Sequence, residues 1–518
     1  MPPTATTGKP PGTGRPLTGD QPPGPDPAGW PGPGRNLAGR NLAGRNLAGR
    51  GLARRGQAGR NLARPGLAGP GLVGLLASRP AWPVSWLLIG YPLWWALGLA
   101  DFMWMILAVP MMARMLRWHR RGRRILVPPG FGLWAAFLII VVLGIAAITL
   151  TAPGTVPSQV WRRLLSYSDR TAFYLGVTVL LLFAGNLTES ELPRRALAWM
   201  LGLVAVYTVV GGLAGLLAPH LQFSSPLLLA LPEPVRSNSF VQASVHPALT
   251  QVQNVLGTPG GRPKAPFDYT NTWGNCLVIL APFLLTGRWW QGSRRSRAVA
   301  AAVLVVAVLP LLYSLNRDAW IAVLASAGYL AVRLAMRGRV GLLAGLGAAA
   351  ALGAVLIATT PLGGVITARL AHGRSNELRS HLAALAVVGG LASPVIGFGD
   401  TRQEQGSPAS IAIGPSSRCP GCGQLEVGST GQFWLLLECD GLLGAGLYLS
   451  FFAGAAWRYR RDASPFGVAG VLVLLLSFVF MLAYDATGAP LGFTMLALAL
   501  LWKNDLHGKP GLAAGSLR

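Results

Sequence analysis

Acidic side chains are scarce in this chain. Its 518 residues hold 18 Asp and Glu against 44 Lys and Arg, and charged residues make up only 12% of the total. Soluble globular proteins carry about 25%, so that class is excluded. Cysteine is rarer still, at four residues. Cys419 and Cys422 form one C-P-G-C in a polar loop, and a zinc site needs a second pair of ligands that no other Cys pair supplies. The pair reads either as a local disulfide or as two idle thiols. Cys276 and Cys439 lie in or beside apolar segments and read as small core residues. No Asp-x-Asp or carboxylate cluster accompanies the polar loops. Metal-dependent sugar transfer therefore lacks ligands, and neither a metal nor a cofactor is expected. The alternating pattern of an outer-membrane barrel is also missing.

What is present is apolar. Hydrophobic residues make up 52% of the chain, and runs near the length of a bilayer crossing recur along most of it, the pattern of an all-α, polytopic integral membrane protein. Twelve spans are expected: 84–99, 102–117, 131–151, 171–187, 196–217, 272–288, 299–315, 319–335, 341–359, 431–456, 466–484 and 488–502. The first pair could equally be one long tilted helix. Residues 1–80 are set apart by Gly, Pro and Arg, with 11 Lys and Arg against two acids and a five-residue repeat, "GRNLAGRNLAGRNLAGR" (34–50). This stretch reads as a disordered basic tail near anionic lipid. It has no compact apolar core with a small-residue cleavage site, so it is not expected to be a signal peptide. Residues 81–503 then form the membrane domain and 504–518 a short cytoplasmic tail.

A net charge of +26 suggests nucleic acid at first sight. The distribution argues against it, because Arg clusters in short segments between apolar runs, where it sets topology. With the tail in the cytoplasm, every second loop should be basic, and "ARMLRWHRRGRR" (113–124), "ELPRRA" (191–196), "GRWWQGSRRSR" (287–297), "RLAMRGR" (333–339) and "WRYRRD" (457–462) all are. Both termini are then cytoplasmic. The stretches 152–170, 218–271 and 359–430 face outward.

Arg317 falls on that outer side, in "LNRDAW" (315–320), where a membrane helix begins with Asn316, Arg317 and Asp318. A guanidinium at a helix N-terminus suits an anion, and its planar fork pairs with phosphate oxygens. The alternative is a plain pairing with Asp318 or snorkelling to the interface. In the 359–430 loop, Leu378, Leu382 and Leu385 fall on one face of a helix whose other residues include Glu377 and Arg379. His372, His381, Glu377 and Asp400 are the groups there able to take a proton, although a loop His is commonly a solvated one.

Several stretches resemble the O-antigen ligase and polysaccharide polymerase family. "DYTNTWGNCLVILAPFLL" (268–285) is similar to its Asn-containing span ending in Pro. "SLNRDAWIAVLASAGYLAV" (314–332) is similar to its Ser-x-x-Arg-Gly-x-Trp span start, with Asp318 at the Gly position. "RSHLAALAVVGGLASPVIGFG" (379–399) is similar to its Arg-x-x-x-Trp…Pro-x-x-Gly-x-Gly helix, with Ala383 at the Trp position. "GQFWLLLECDGLLGAGLYL" (431–449) is similar to the span after its large loop. The likeness runs in order from about 84 to 502, and "YPLWWALGL" and "RPKAPFDYTNTWGN" look like the actinobacterial branch.

The resemblance implies a metal-independent, GT-C-like glycosyltransferase of the cytoplasmic membrane. It would take a glycan from undecaprenyl diphosphate at the outer face and place it on a glycan, lipid or protein acceptor. It implies that Arg317 holds the diphosphate with Arg379 assisting, that Asn271 and Asn275 line the site, and that Asn316 and Arg374 contact substrate. The family's acceptor-activating His would fall near Thr430, where no His stands. His381 or Glu377 would then serve as the base, or Arg pairing with the leaving diphosphate would drive the step. Two other classes compete: a small-anion transporter, which should show internal repeats and mid-membrane charges that are few here, and a non-catalytic scaffold of surface-glycan assembly, which the missing His favours.

Overall fold

The computed structural model describes residues 80–156, 160–232, 239–254, 259–360, 362–371, 374–404 and 426–507. These belong to one compact unit, Ala68–Arg518. The repeat-bearing tail, His372, Cys419, Cys422, residues 508–518 and the side chains of Arg374 and Glu377 lie outside the described residues.

The chain is mostly helical. The principal helices are α1 (Trp82–Ile89), α2 (Tyr91–Ala96), α3 (Met103–Ile106), α4 (Ala108–Arg120), α5 (Phe131–Leu143), α6 (Val160–Asn186), α7 (Arg194–Leu217), α8 (Thr270–Leu284), α9 (Arg294–Val306), α10 (Val308–Tyr313), α11 (Arg317–Ala335), α12 (Val340–Thr359), α13 (Leu362–Ala371), α14 (Arg374–Ala392), α15 (Gln432–Tyr459), α16 (Pro465–Phe480) and α17 (Ala489–His507). Two small antiparallel pairs complete it. Strand β1 (Thr250–Asn254) pairs with β2 (Pro259–Pro263), with Thr250 opposite Pro263. Strand β3 (Arg402–Gln403) pairs with β4 (Glu426–Val427).

Five helical segments are long and apolar enough to cross a membrane: Arg194–Leu217, Arg294–Tyr313, Arg317–Ala335, Val340–Thr359 and Gln432–Tyr459. Others among the twelve expected segments are shorter or broken. The first two form a hairpin and not one tilted helix: Arg114 at the far end of α4 donates to the Pro80 carbonyl at 3.0 Å. α6 starts at Val160, eleven residues before the expected span, and takes in much of the stretch read as a loop. The 359–430 stretch, also read as a loop, holds α13 and α14. α15 bends at Gly441, whose φ of 71° and ψ of −176° only glycine adopts readily.

Local chemistry explains the helix starts. Ser464 accepts from the Gly467 N–H at 2.9 Å with Pro465 in the first turn, and Ser293 accepts from Ser296, both N-caps written in the sequence. α17 is the central post. Every residue from Ala489 to Lys503 is buried, as expected of a helix apolar on all sides. Helices in such bundles associate through close packing and not through water exclusion, so small residues oppose large ones. Gly185 faces Trp502 and Gly492 faces Trp104; a Cβ would come within 2.1 and 2.4 Å of the respective rings. On α14, Leu382 and Ala386 are buried against Val427, with Leu385 packed beside them, so two residues of the expected apolar stripe face inward; the Leu378 side chain lies outside the described residues.

Candidate functional site

The start of α11 is fixed from several sides. Leu315 adopts φ of 53°, a left-handed conformation that costs a non-glycine residue about 1–3 kcal/mol. That turn delivers Asn316 as the N-cap. Its side-chain oxygen accepts from the Asp318 and Ala319 N–H groups at 3.1 and 3.2 Å. Its amide donates to the Asn271 carbonyl and to the Asn275 side-chain oxygen, both at 3.3 Å. α8 can approach this closely because residue 274 is glycine: a Cβ there would lie 2.7 Å from the Asn316 amide nitrogen. Asn316, Asn275 and Asn271 therefore lock α11 onto α8. Asn316, expected to contact substrate, is buried with both ends engaged and is a positioning residue. Asn271 serves the site indirectly, and its oxygen accepts from Arg262 at 3.1 Å.

Around this lock gather four arginines from four elements. Arg317 opens α11, half-buried. Arg379, from α14, reaches Asp318 at 3.5 Å. Arg369, on α13, donates through Nε to the Leu315 carbonyl at 3.2 Å. Arg262, from β2, is only 6% exposed; it donates to the Ser314 carbonyl at 2.6 Å and to Gln253 and Asn271. The four feel one another. Burial first, then Arg369 and Arg379, pushes the Arg262 guanidinium down to about 10. Burial followed by Arg317 and Arg379 lowers Arg369, with Asp318 opposing. Arg379, Arg317 and Arg369 all bear on one carboxylate, Asp318. Neutral carbonyl and amide acceptors satisfy the Arg262 hydrogen bonds but do not cancel its charge. The N-terminus of α11 adds its partial positive charge at the same place. The arrangement suits an anion with several oxygens.

Arg317 and Arg379, both expected from the sequence, are brought together here. Arg262 and Arg369 were missed, and the one signal for them was the outer side assigned to their loops. Two expected proton carriers, His381 and Asp400, are held by partners away from Asp318. His381 Nε2 lies 2.9 Å from Glu404 Oε2, a carboxylate with 1% exposure. Two residues along a helix differ by about 200°, so His381 faces Glu404 while Arg379 faces Asp318. Asp400 is held elsewhere: it accepts from Ser166 at 2.9 Å and pairs with Arg170 at 3.3 Å. At the position implied for an acceptor-activating His, Thr430 closes the turn before α15.

The Pro-x-x-Gly-x-Gly stretch has a structural task of its own. Phe398 and Gly399 donate to the Glu438 and Cys439 carbonyls at 2.9 and 2.8 Å, and Leu443 donates to Pro394 at 2.9 Å. The segment 394–399 thus supplies backbone partners where the Gly441 bend breaks the ladder of α15. Gly397, with φ of 61°, is required there, since a Cβ would sit 2.3 Å from the Cys439 carbonyl carbon.

No family model matches the chain, and no curated protein matches it. The geometry defines a class: a mostly helical chain with five helices long and apolar enough to cross a membrane and an arginine cluster at the start of one of them.

Proposed function

We propose that this protein is a twelve-span glycosyltransferase of the cytoplasmic membrane with GT-C-like architecture. It moves a glycan from undecaprenyl diphosphate to an acceptor hydroxyl on a glycan, lipid or protein at the outer face, in the manner of O-antigen ligases and polysaccharide polymerases. One observation carries the reading: Arg317, Arg369 and Arg379 converge on Asp318 at the start of α11, and the buried Arg262 lies close enough to feel Arg369 and Arg379. A diphosphate leaving group develops negative charge as its bond to sugar breaks, and preformed guanidinium groups stabilise that charge more than they do the bound donor.

Two further observations support the orientation. α11 runs about 27 Å from Arg317 to Ala335. At its far end the basic loops interlock. Arg333 donates to the Arg460 and Asp462 carbonyls, Arg337 to Ala463, and Arg194 to Asn504. The Arg-rich connections therefore lie together at the opposite end of α11 from the arginine cluster, which supports a reading with both termini in the cytoplasm.

The test is Arg317→Ala in a strain deleted for the native gene. The variant should insert at the wild-type level and lose transfer, and lipid-linked glycan should accumulate. Single repeat units would identify a polymerase; full-length unattached chains would identify a ligase. Normal surface glycan from the variant would overturn the proposal.

A further inference from the structure

The helices also leave a hollow that the arginine cluster does not use. A crevice of about 410 Å³ lies between α8, the α9–α10 segment, α11 and α16, within the range of about 300–1,000 Å³ that holds small ligands. None of Arg262, Arg317, Arg369 and Arg379 lines it. Each wall turns a small side chain toward the space: Ala281 from α8, Ala307 between α9 and α10, Ser326 from α11 and Ala469 from α16. Small residues in a membrane bundle let helices close up. Here four of them face one another across a gap. The crevice opens outward through an apolar rim, since Val308 and Val323, which line it, are 47% and 40% exposed.

Inside, the hydroxyls close on their own helices. Ser326 donates to the Ala322 carbonyl at 2.7 Å, and Thr286 to the Phe283 carbonyl at 2.8 Å. The charged group is Arg337 at the mouth, two residues past the end of α11. It donates to the Ala463 carbonyl at 2.6 Å, a contact that fixes the guanidinium and leaves its charge whole. The stretches 287–297 and 333–339 at the same end hold further arginines and no acid. From Val323 to Arg337 the crevice runs about 21 Å at 1.5 Å per residue. One leaflet is about 20–22 Å deep with its headgroup layer included. The crevice is therefore as long as one lipid, chain and headgroup together.

We infer that this crevice binds one acyl chain of an anionic glycerophospholipid from the leaflet at the Arg337 end, with the lipid phosphate on Arg337. The inference goes beyond the transfer reading: it rests on the chain spanning a membrane and not on any reaction. Charge selects the occupant. A neutral chain fills the apolar part equally well but leaves a guanidinium uncompensated at the edge of a low-dielectric region. Arg pairs with phosphate through its planar fork, and the surrounding arginines attract a net negative headgroup more than a zwitterionic one. A lipid whose phosphates sit at Arg317, the opposite end of α11, cannot also place them at Arg337.

The experiment follows the melting temperature of the full-length protein in a neutral detergent as lipid is added. The probes are dioleoyl phosphatidylglycerol, dioleoyl phosphatidylcholine and a long-chain polyprenol without phosphate. Phosphatidylglycerol should stabilise the wild type at lower concentration than phosphatidylcholine. Arg337→Gln should weaken phosphatidylglycerol about fivefold, the weight of one basic residue beside anionic lipid, and leave phosphatidylcholine unchanged. Ser326→Phe should fill the crevice and abolish the response at the wild-type midpoint. Its hydroxyl bonds only within α11, so no contact between helices is lost. Ser326→Leu, a smaller filling, replaces it if the Phe variant fails to fold. A phosphatidylglycerol response unmoved by Arg337→Gln, or unmoved by filling at Ser326, overturns the inference. Equal wild-type responses to the two phospholipids overturn it as well. A polyprenol response that exceeds that of phosphatidylglycerol and vanishes on filling assigns the crevice to an isoprenoid tail instead, which also overturns it.

Discussion

Arg402 and Arg262 are both buried, at 1% and 6% exposure, yet they sit in opposite electrostatic settings. Arg402 donates to the Asp400, Phe398 and Leu150 carbonyls at 2.7, 2.8 and 3.1 Å. Its neighbours Arg163 and Arg170 are matched by the carboxyls of Asp400, Glu438 and Asp440. That group is a strut: it binds the 394–402 segment to the Ile148 and Leu150 carbonyls, in the stretch after α5, with a cation at carbonyls a helix end leaves open. Around Arg262 the nearest charges are alike: Arg369 and Arg379 both oppose its charge, and its hydrogen-bond partners are neutral. Like charges gathered at one place repel, and an anion from outside would relieve them. The first group is held by the fold's own acids, and the second is the one the proposed function uses.

The comparison breaks first at Arg402. Arg402→Ala leaves the Asp400, Phe398 and Leu150 carbonyls without their buried donor, and each buried acceptor left unpaired costs about 1–3 kcal/mol. The variant should lose much of its thermal stability in detergent while keeping whatever anion response survives at its lower melting temperature. A melting temperature unchanged by Arg402→Ala would mean that the strut carries no load.

The second probe works in the opposite direction. Inorganic pyrophosphate should stabilise the wild type, by about 2.7 kcal/mol at a hundredfold excess over its dissociation constant, and should leave Arg317→Ala nearly unmoved. The sign with pH follows from Arg262. Its lowered value means that charge is lost as pH rises through about 10, so the stabilisation should fade there, although pyrophosphate itself only gains charge over the same range. Arg262→Gln should show a smaller shift at neutral pH and no such fading. A shift that ignores Arg317 and Arg262 alike would place the anion elsewhere.

Which parts were legible from sequence follows from how far apart the partners lie. The helical class follows from apolar run length, a local signal. Asn316 as a cap is equally local. Arg262 and Arg369 join Arg317 across 55 and 52 residues, through a hairpin register and a helix end that no period in the sequence announces. Asp400 was read as a proton carrier because its partner Arg170 is 230 residues away. His381 could have been separated from Arg379 by helical spacing alone, but Glu404 beyond the end of α14 could not have been foreseen. The Pro-x-x-Gly-x-Gly stretch was visible as a motif. Its use as a filler for the bend at Gly441 needed the structure.

The smallest expected effect tests the boundary between the two settings. Asn316→Ala removes the α11 cap and should cost about 1 kcal/mol. The measured loss would mix the lost cap with the loosened contact to Asn271 and Asn275. Asn316→Asp separates cap from charge. Aspartate caps as well as asparagine, so the two N–H groups of Asp318 and Ala319 keep their acceptor and stability should return most of the way. The new carboxylate, however, adds negative charge beside the arginines. The pyrophosphate shift should therefore shrink in Asn316→Asp while it persists in Asn316→Ala. If the two variants respond equally to pyrophosphate, charge imbalance at the start of α11 is not what draws the anion.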